Sequence, residues 1–209
     1  MARHSRFFVI ECVAGVAVTT LLVALCLRQS GEEELMSSEA TARVVMNVPR
    51  EKAWEKLRDI SMAHNYVPGI VKTEVTTSKK EGVGASRKVY QSETKGLDET
   101  VIEWNEGHGF LIRLHRGDAG APPPFKDASF RYRIEDAGNG QTALTTSLIF
   151  TMRWGAFGEF LHKRLLAGVF RSTIRDVALS MKAYYETGEP TTPEKLKQLK
   201  ADLKAKTSH

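Results

Sequence analysis

The chain opens on an apolar run and then changes its pattern. Residues 7–27 contain one charge, Glu11, and residues 12–27 contain none. Twenty-one helical residues rising about 1.5 Å each span the roughly 30 Å hydrocarbon core of a bilayer. From residue 38 the pattern becomes that of a globular domain. Residues 40–48 are rich in β-branched and apolar side chains and stop at Pro49, which predicts a strand. Residues 50–59 place Ala53, Trp54 and Leu57 at helical spacing, and Ser61 can cap a second short helix that ends before Pro68-Gly69. Strand-like runs follow at 70–77, 85–91, 97–105, 110–116, 128–134 and 142–154, each closed by turn residues, and such short links imply antiparallel pairing. In the last run Leu144, Thr146, Leu148, Phe150, Met152 and Trp154 share one face. A long amphipathic helix over 157–186 carries the stripe Leu166, Phe170, Ile174, Val177, Met181 and Tyr184 and stops at Gly188.

This order predicts an α+β fold: a curved seven-stranded antiparallel sheet, two short helices after the first strand, and one long C-terminal helix laid on the sheet. A helix across a strongly curved sheet cannot fill the concave side, so an interior cavity for an apolar ligand is expected. The chain divides into a basic flank (1–6), the apolar run (7–27), a polar connector (28–37), the domain (38–188) and a Lys-rich tail (189–209). Two readings compete for the start, a retained transmembrane anchor and a cleaved signal peptide. The run is longer than a usual signal core, and Ala24-Leu25-Cys26 is a poor cleavage site, so the single-pass anchor is preferred. Arg3 and Arg6 before the run, against Glu32-Glu33-Glu34 after it, orient the domain to the outer or periplasmic side.

Composition narrows the chemistry. Hydrophobic content of 42% and charged content of 26% are ordinary for a globular protein. The net charge of +5 owes much to Lys195, Lys197, Lys200, Lys204 and Lys206, which read as a solvated tail. No basic–aromatic array suggests nucleic-acid binding. Both cysteines, Cys12 and Cys26, lie in the apolar run, so the domain has no disulfide, thiolate metal site or cysteine nucleophile. No His/Asp/Glu group has metal-ligand spacing, and no cofactor is implied. Gly82-Val83-Gly84 lacks the Gly-Lys-Ser/Thr ending of a phosphate loop, and there is no G-x-S-x-G elbow.

Val48-Pro49-Arg50-Glu51-Lys52-Ala53-Trp54, His64 to Gly69, Gly82 to Val89, Leu97 to Asn105 and the terminal helix resemble the SRPBCC (START-like, helix-grip) superfamily, and within it the polyketide cyclase/dehydrase and lipid-transport group. The likeness covers about residues 38–188. It implies a deep pocket between sheet and terminal helix, lined by Arg87, Val89 and Gln91 from one strand and Leu97, Glu99, Val101 and Glu103 from the next. The candidate ligand-contacting set is then Trp54, Tyr66, Arg87, Val89, Gln91, Glu99, Val101, Glu103, Phe125, Phe150, Met152, Trp154, Phe170, Ile174 and Val177.

Arg87 and Glu99 are expected side by side inside the apolar cavity, because a buried charge needs a partner and arginine offers a carboxylate two parallel hydrogen bonds. They orient a ligand, or they only shape the cavity floor. His64 and Tyr66 flank the expected pocket mouth, as a gate or as helix-end packing. His108 and His115 are expected on the outside. The 117–125 loop, with Pro122-Pro123-Pro124, is a lid plugged by Phe125 or a rigid surface turn. Three functions remain open: a membrane-tethered binding protein for a lipid, quinone or polyketide-like molecule; a cyclase or dehydratase using Glu99 and Glu103 for acid–base work; and a non-enzymatic interaction module.

Overall fold

The computed structural model describes residues 37–207. The predicted anchor at 7–27, its basic flank and most of its connector lie outside the described residues. Among the described residues, no helix is long and apolar enough to cross a membrane.

β1 (Ser38–Met46) leads through Pro49 into α1 (Arg50–Arg58) and a 3-10 helix (Ile60–Asn65). Asp59 caps that turn by accepting from the Ser61 amide. Six strands follow: β2 (Lys72–Val75), β3 (Ser86–Ser92), β4 (Lys95–Asn105), β5 (Gly109–His115), β6 (Phe125–Gly138) and β7 (Gln141–Met152). They form one antiparallel sheet in the order β1-β7-β6-β5-β4-β3-β2, so the first strand closes beside the last. The chain then turns into α2 (Gly155–Leu161), a π-helical turn (His162–Leu166) and α3 (Ala167–Thr187), which lies on β1 and β7. α3 ends at Gly188 in a left-handed conformation, as Gly188-x-Pro190 predicts.

The inner sheet face and the apolar stripe of α3 form a single core. Leu144, Thr146, Leu148, Phe150 and Met152 are buried on β7 and face Ile174, Val177 and Met181 of α3. Trp154 is a correction to the expected stripe. β7 stops at Met152, and Trp154 adopts the left-handed conformation (φ 67°) that starts α2, which leaves its ring 67% exposed. α2 seats closely against that turn, since a Cβ on Gly158 would come 1.9 Å from the Arg153 carbonyl oxygen.

Two irregularities correct the expected inner face of β3 and β4. The β4–β5 register shifts between Val101 and Glu103, which inserts one residue and reverses the side-chain alternation beyond it. Glu103 therefore points outward, pairing with Arg131 at 3.7 Å, while Trp104 turns inward against Phe110 and Trp54. A second shift between Tyr90 and Ser92 leaves Gln91 exposed at the β3–β4 hairpin.

The C-terminal segment differs from a solvated tail. Residues Pro193–Thr207 form α4, with Thr192 capping the Lys195 amide at 3.2 Å. Thr191 ties the segment to the domain through its amide on the Asn65 carbonyl and its hydroxyl on the Ser180 carbonyl, both at 2.9 Å. Lys200 reaches Asp176 of α3 at 2.7 Å.

The β4 bulge sets an order of side-chain importance opposite to simple alternation. Trp104→Ala should cost about 2–4 kcal/mol in urea denaturation, whereas Glu103→Ala should stay within about 0.5 kcal/mol. A larger loss at Glu103 than at Trp104 would contradict the bulge.

Candidate functional site

The centre of the domain is a charged pair in an apolar core. Arg87 on β3 and Glu99 on β4 are directly opposed across the ladder, and they are 2% and 9% exposed. Arg87 Nε donates to Glu99 Oε2 at 2.6 Å. The expected bidentate clasp does not form. The rest of the guanidinium reaches elsewhere: Nη1 donates to the Ile60 carbonyl at 2.8 Å, and Nη2 lies 3.5 Å from the Tyr132 hydroxyl. One side chain thus ties β3 to β4, to the 3-10 helix and to β6. Burial opposes the Arg87 cation, but the Glu99 carboxylate, with Tyr66 and Tyr132, more than offsets it and holds the pKa well above its ordinary value.

Three tyrosines surround this pair. Tyr66, directly after the 3-10 helix, is buried, and its hydroxyl sits beside Arg87 and Tyr132 without completing a well-formed hydrogen bond to either. It stacks on Tyr184 at 6.0 Å and meets Tyr185 edge-on at 6.2 Å. Tyr66 is therefore an interior residue rather than a gate at the mouth. Tyr132 comes from the inner face of β6 and Tyr185 from the last turns of α3. The Tyr185 hydroxyl and the Thr146 hydroxyl, buried on β7 opposite Tyr132, have no hydrogen-bond partner among the described residues. Burial pushes the pKa of Tyr66 up and those of Tyr132 and Tyr185 well up.

Beside the polar centre lies an aromatic cluster under the start of α3. Phe125, Phe150 and Phe170 pack at ring separations of 5.1–5.5 Å, and His162 of the π-helical turn stacks on Phe170 at 5.4 Å and meets Phe150 at 4.8 Å. Phe125 is thus packed into this cluster, and the loop before it is fastened. Arg153 donates from Nε to the Phe125 carbonyl at 2.7 Å, from Nη2 to the Ala121 carbonyl at 3.1 Å, and from its amide to the Pro124 carbonyl at 3.0 Å. That stitching describes a rigid turn rather than a lid.

Of the expected contact residues, Arg87, Val89, Glu99, Val101, Tyr66, Phe125, Phe150, Met152, Ile174 and Val177 are buried in one core, with Phe170 packed against it. Trp54 is buried at the α1 end, its Nε1 donating to Glu106 at 2.9 Å. Gln91, Glu103 and Trp154 are outside. Glu99 and Glu103 therefore do not share a site. Tyr132, Tyr185 and His162 were not anticipated. Tyr132 alternates with Phe130 and Ile134, and Tyr185 lies four residues after Met181, so periodicity marks both; His162 is hidden by the π-helical turn. A separate cleft of about 610 Å³ opens between the 3-10 helix–β2 link and the base of α4, lined by His64, Val67, Ile70, Val71 and Leu196.

The family model for polyketide cyclase / dehydrase and lipid transport matches residues 37–186. This chain belongs to that family. Membership accounts for the seven-stranded sheet with its long terminal helix, and it suggests binding of a hydrophobic ligand. Solved structures show the same helix-grip fold at low identity. The chain is 15% identical to the Thermus thermophilus protein TTHA0849 (71% of this chain, 97% of that one, TM-score 0.53). It is 16% identical to a Thermobifida fusca protein (69% and 93%, TM-score 0.52) and 15% identical to a Nitrosospira multiformis protein (72% and 98%, TM-score 0.51). No curated protein matches the chain.

Two outcomes follow from the polar centre. Arg87→Ala or Glu99→Ala alone should cost about 3–5 kcal/mol by stranding a buried charge, whereas the Arg87→Met/Glu99→Leu double variant should cost far less than the sum; additive losses in denaturant titration would contradict the pairing. The unfolded chain's tyrosines ionise near about pH 10, while Tyr132 and Tyr185 keep their protons to higher pH when folded. Their contribution to stability is therefore complete below about pH 10 and is lost as pH rises beyond it. Absorbance titration should show these two ionising late, together with unfolding, and a single step for all five tyrosines near pH 10 would refute it.

Proposed function

We propose that this protein binds a hydrophobic small molecule, of the lipid, quinone or polyketide type, between the sheet and α3, and that residues 7–27 hold it at a membrane where such molecules concentrate. The observation that carries the reading is the set of inward-facing hydroxyls around Arg87. Tyr66, Tyr185 and Thr146 present buried oxygens without partners among the described residues. Each such group costs about 1–3 kcal/mol unless it is bonded. A ligand carbonyl or hydroxyl, carried on an apolar body, supplies that bond, and Arg87 keeps a fixed positive field beneath it. A family in which hydrophobic ligand binding is common supports the same reading.

Binding is favoured over catalysis because the two carboxylates that acid–base work would need lie on opposite faces of β4, and Glu99 is already committed to Arg87. A second reading rests on the 610 Å³ cleft, whose volume suits a small ligand and whose His64 edge is where a pocket mouth was expected.

Native mass spectrometry of the full chain extracted in detergent separates these readings. An apolar adduct should co-purify and should fall at least about tenfold in occupancy in the Tyr66→Phe/Tyr185→Phe variant, since two lost hydrogen bonds amount to more than about 1.4 kcal/mol. An adduct that survives this change but is lost in Val71→Asp/Leu196→Asp moves the site to the cleft. No adduct, and no uptake from lipid vesicles, sinks the binding reading.

A further inference from the structure

The segment that carries the chain from β7 onto α3 presents its apolar side chains to solvent. Ten large apolar side chains are exposed among the described residues, and five of them, Trp154, Phe157, Phe160, Leu165 and Val169, fall within residues 154–169. They are therefore a patch rather than scattered exceptions. Their spacings are three, three, five and four, and the step of five falls where the π-helical turn adds one residue to the helix. The patch begins at a strained point, a tryptophan held in the left-handed region and followed by Gly155 at φ 51°. That turn directs the Trp154 ring outward.

Cations border this patch. Lys163, Arg164, Arg171 and Arg175 are all exposed, and none has an ion-pair partner among the described residues. Residues 154–175 contain one acid, Glu159, and it accepts a hydrogen bond from Ser38 Oγ at 3.1 Å. The same bond locates the start of the domain. Ser38 opens β1, so the polypeptide arriving from the apolar run joins the domain directly beside α2.

We infer that residues 154–175 are a membrane-docking surface, and that its occupant is the headgroup and upper acyl region of an anionic bilayer. Trp154, Phe157, Phe160 and Leu165 enter the interface as the apolar face of an amphipathic segment, and the four cations meet the lipid phosphates. An aromatic-rich apolar face edged by unpaired cations is complementary to such a surface. The aromatic cluster of Phe125, Phe150, Phe170 and His162 lies directly under this segment, so docking brings one end of the interior to the bilayer. The inference rests on the membrane tether proposed above for proximity, but not on the interior ligand.

The test uses the full chain with phosphatidylcholine vesicles, with and without phosphatidylglycerol, each also carrying a brominated lipid. Co-flotation with the neutral vesicles reports the tether. Fluorescence of the protein minus that of Trp154→Phe reports Trp154 alone, because Trp54 and Trp104 are common to both. Trp154 should shift to the blue and be quenched by the brominated lipid, more strongly when phosphatidylglycerol is present. Lys163→Glu/Arg171→Glu should reduce the docked-to-undocked ratio at least about tenfold without changing flotation. Flotation with Trp154 still in water overturns the docking surface and leaves the tether standing. A blue-shifted Trp154 that lipid bromine does not quench means protein covers the patch, a second copy or the chain's own apolar run, and also overturns it. Equal quenching in both vesicle types overturns the anionic assignment.

Discussion

Among the described residues, the fold is organised around one buried cation, Arg87. Arg87 is the point where the sheet, the 3-10 helix and the tyrosines meet, because its planar donors reach three acceptors on different elements: Glu99, the Ile60 carbonyl and Tyr132. A lysine at this position would offer one point charge and could not span them. Burying the guanidinium in an apolar core is costly, and Glu99 is what makes it tolerable. The arrangement gives the interior a direction, with charge and hydroxyls at the 3-10 helix end and aromatic rings under the start of α3.

The rest of the architecture supports this gradient. The antiparallel order, with β1 beside β7, gives α3 two adjacent strands to lie on. The bulge in β4 decides which carboxylate is inside: Glu99 precedes it and faces Arg87, while Glu103 follows it and faces solvent. A one-residue insertion thus leaves the interior with one committed carboxylate rather than two. At the opposite end, Arg153 fastens the proline loop, and Gly158 lets α2 pack on the Arg153 carbonyl.

Much of this was legible in the sequence, for reasons that also mark where legibility stops. Strict alternation from Leu144 to Met152 and the three–four spacing from Ile174 to Met181 each describe one buried face, and the structure keeps both. The cross-strand placement of Arg87 and Glu99 followed from a short hairpin and a family likeness. Alternation says nothing about where it is interrupted, so extending the face implied by the family likeness along β3 and β4 misplaced Gln91 and Glu103, and extending the β7 stripe misplaced Trp154. Each lies at or just beyond a register shift or a left-handed turn. Tyr132 and Tyr185 sit at periodic positions, but their gathering around one buried pair is set only by the three-dimensional fold. The tail was read by its charge, whereas Leu196, Leu199 and Leu203 at helical spacing, behind a Thr192 cap, describe the helix that forms.

The central claim is that Arg87 is a dry, fixed charge at the ligand-facing heart of the domain. Nitrogen-15 NMR of the arginine side chains, recorded on the detergent-extracted chain before and after loading with a short-chain quinone, tests it most directly. The account predicts one Nε–H, that of Arg87, exchanging far more slowly than those of the exposed arginines and shifting on loading. An Arg87 Nε–H that exchanges as fast as the others, or that does not move when the quinone is taken up, would contradict it.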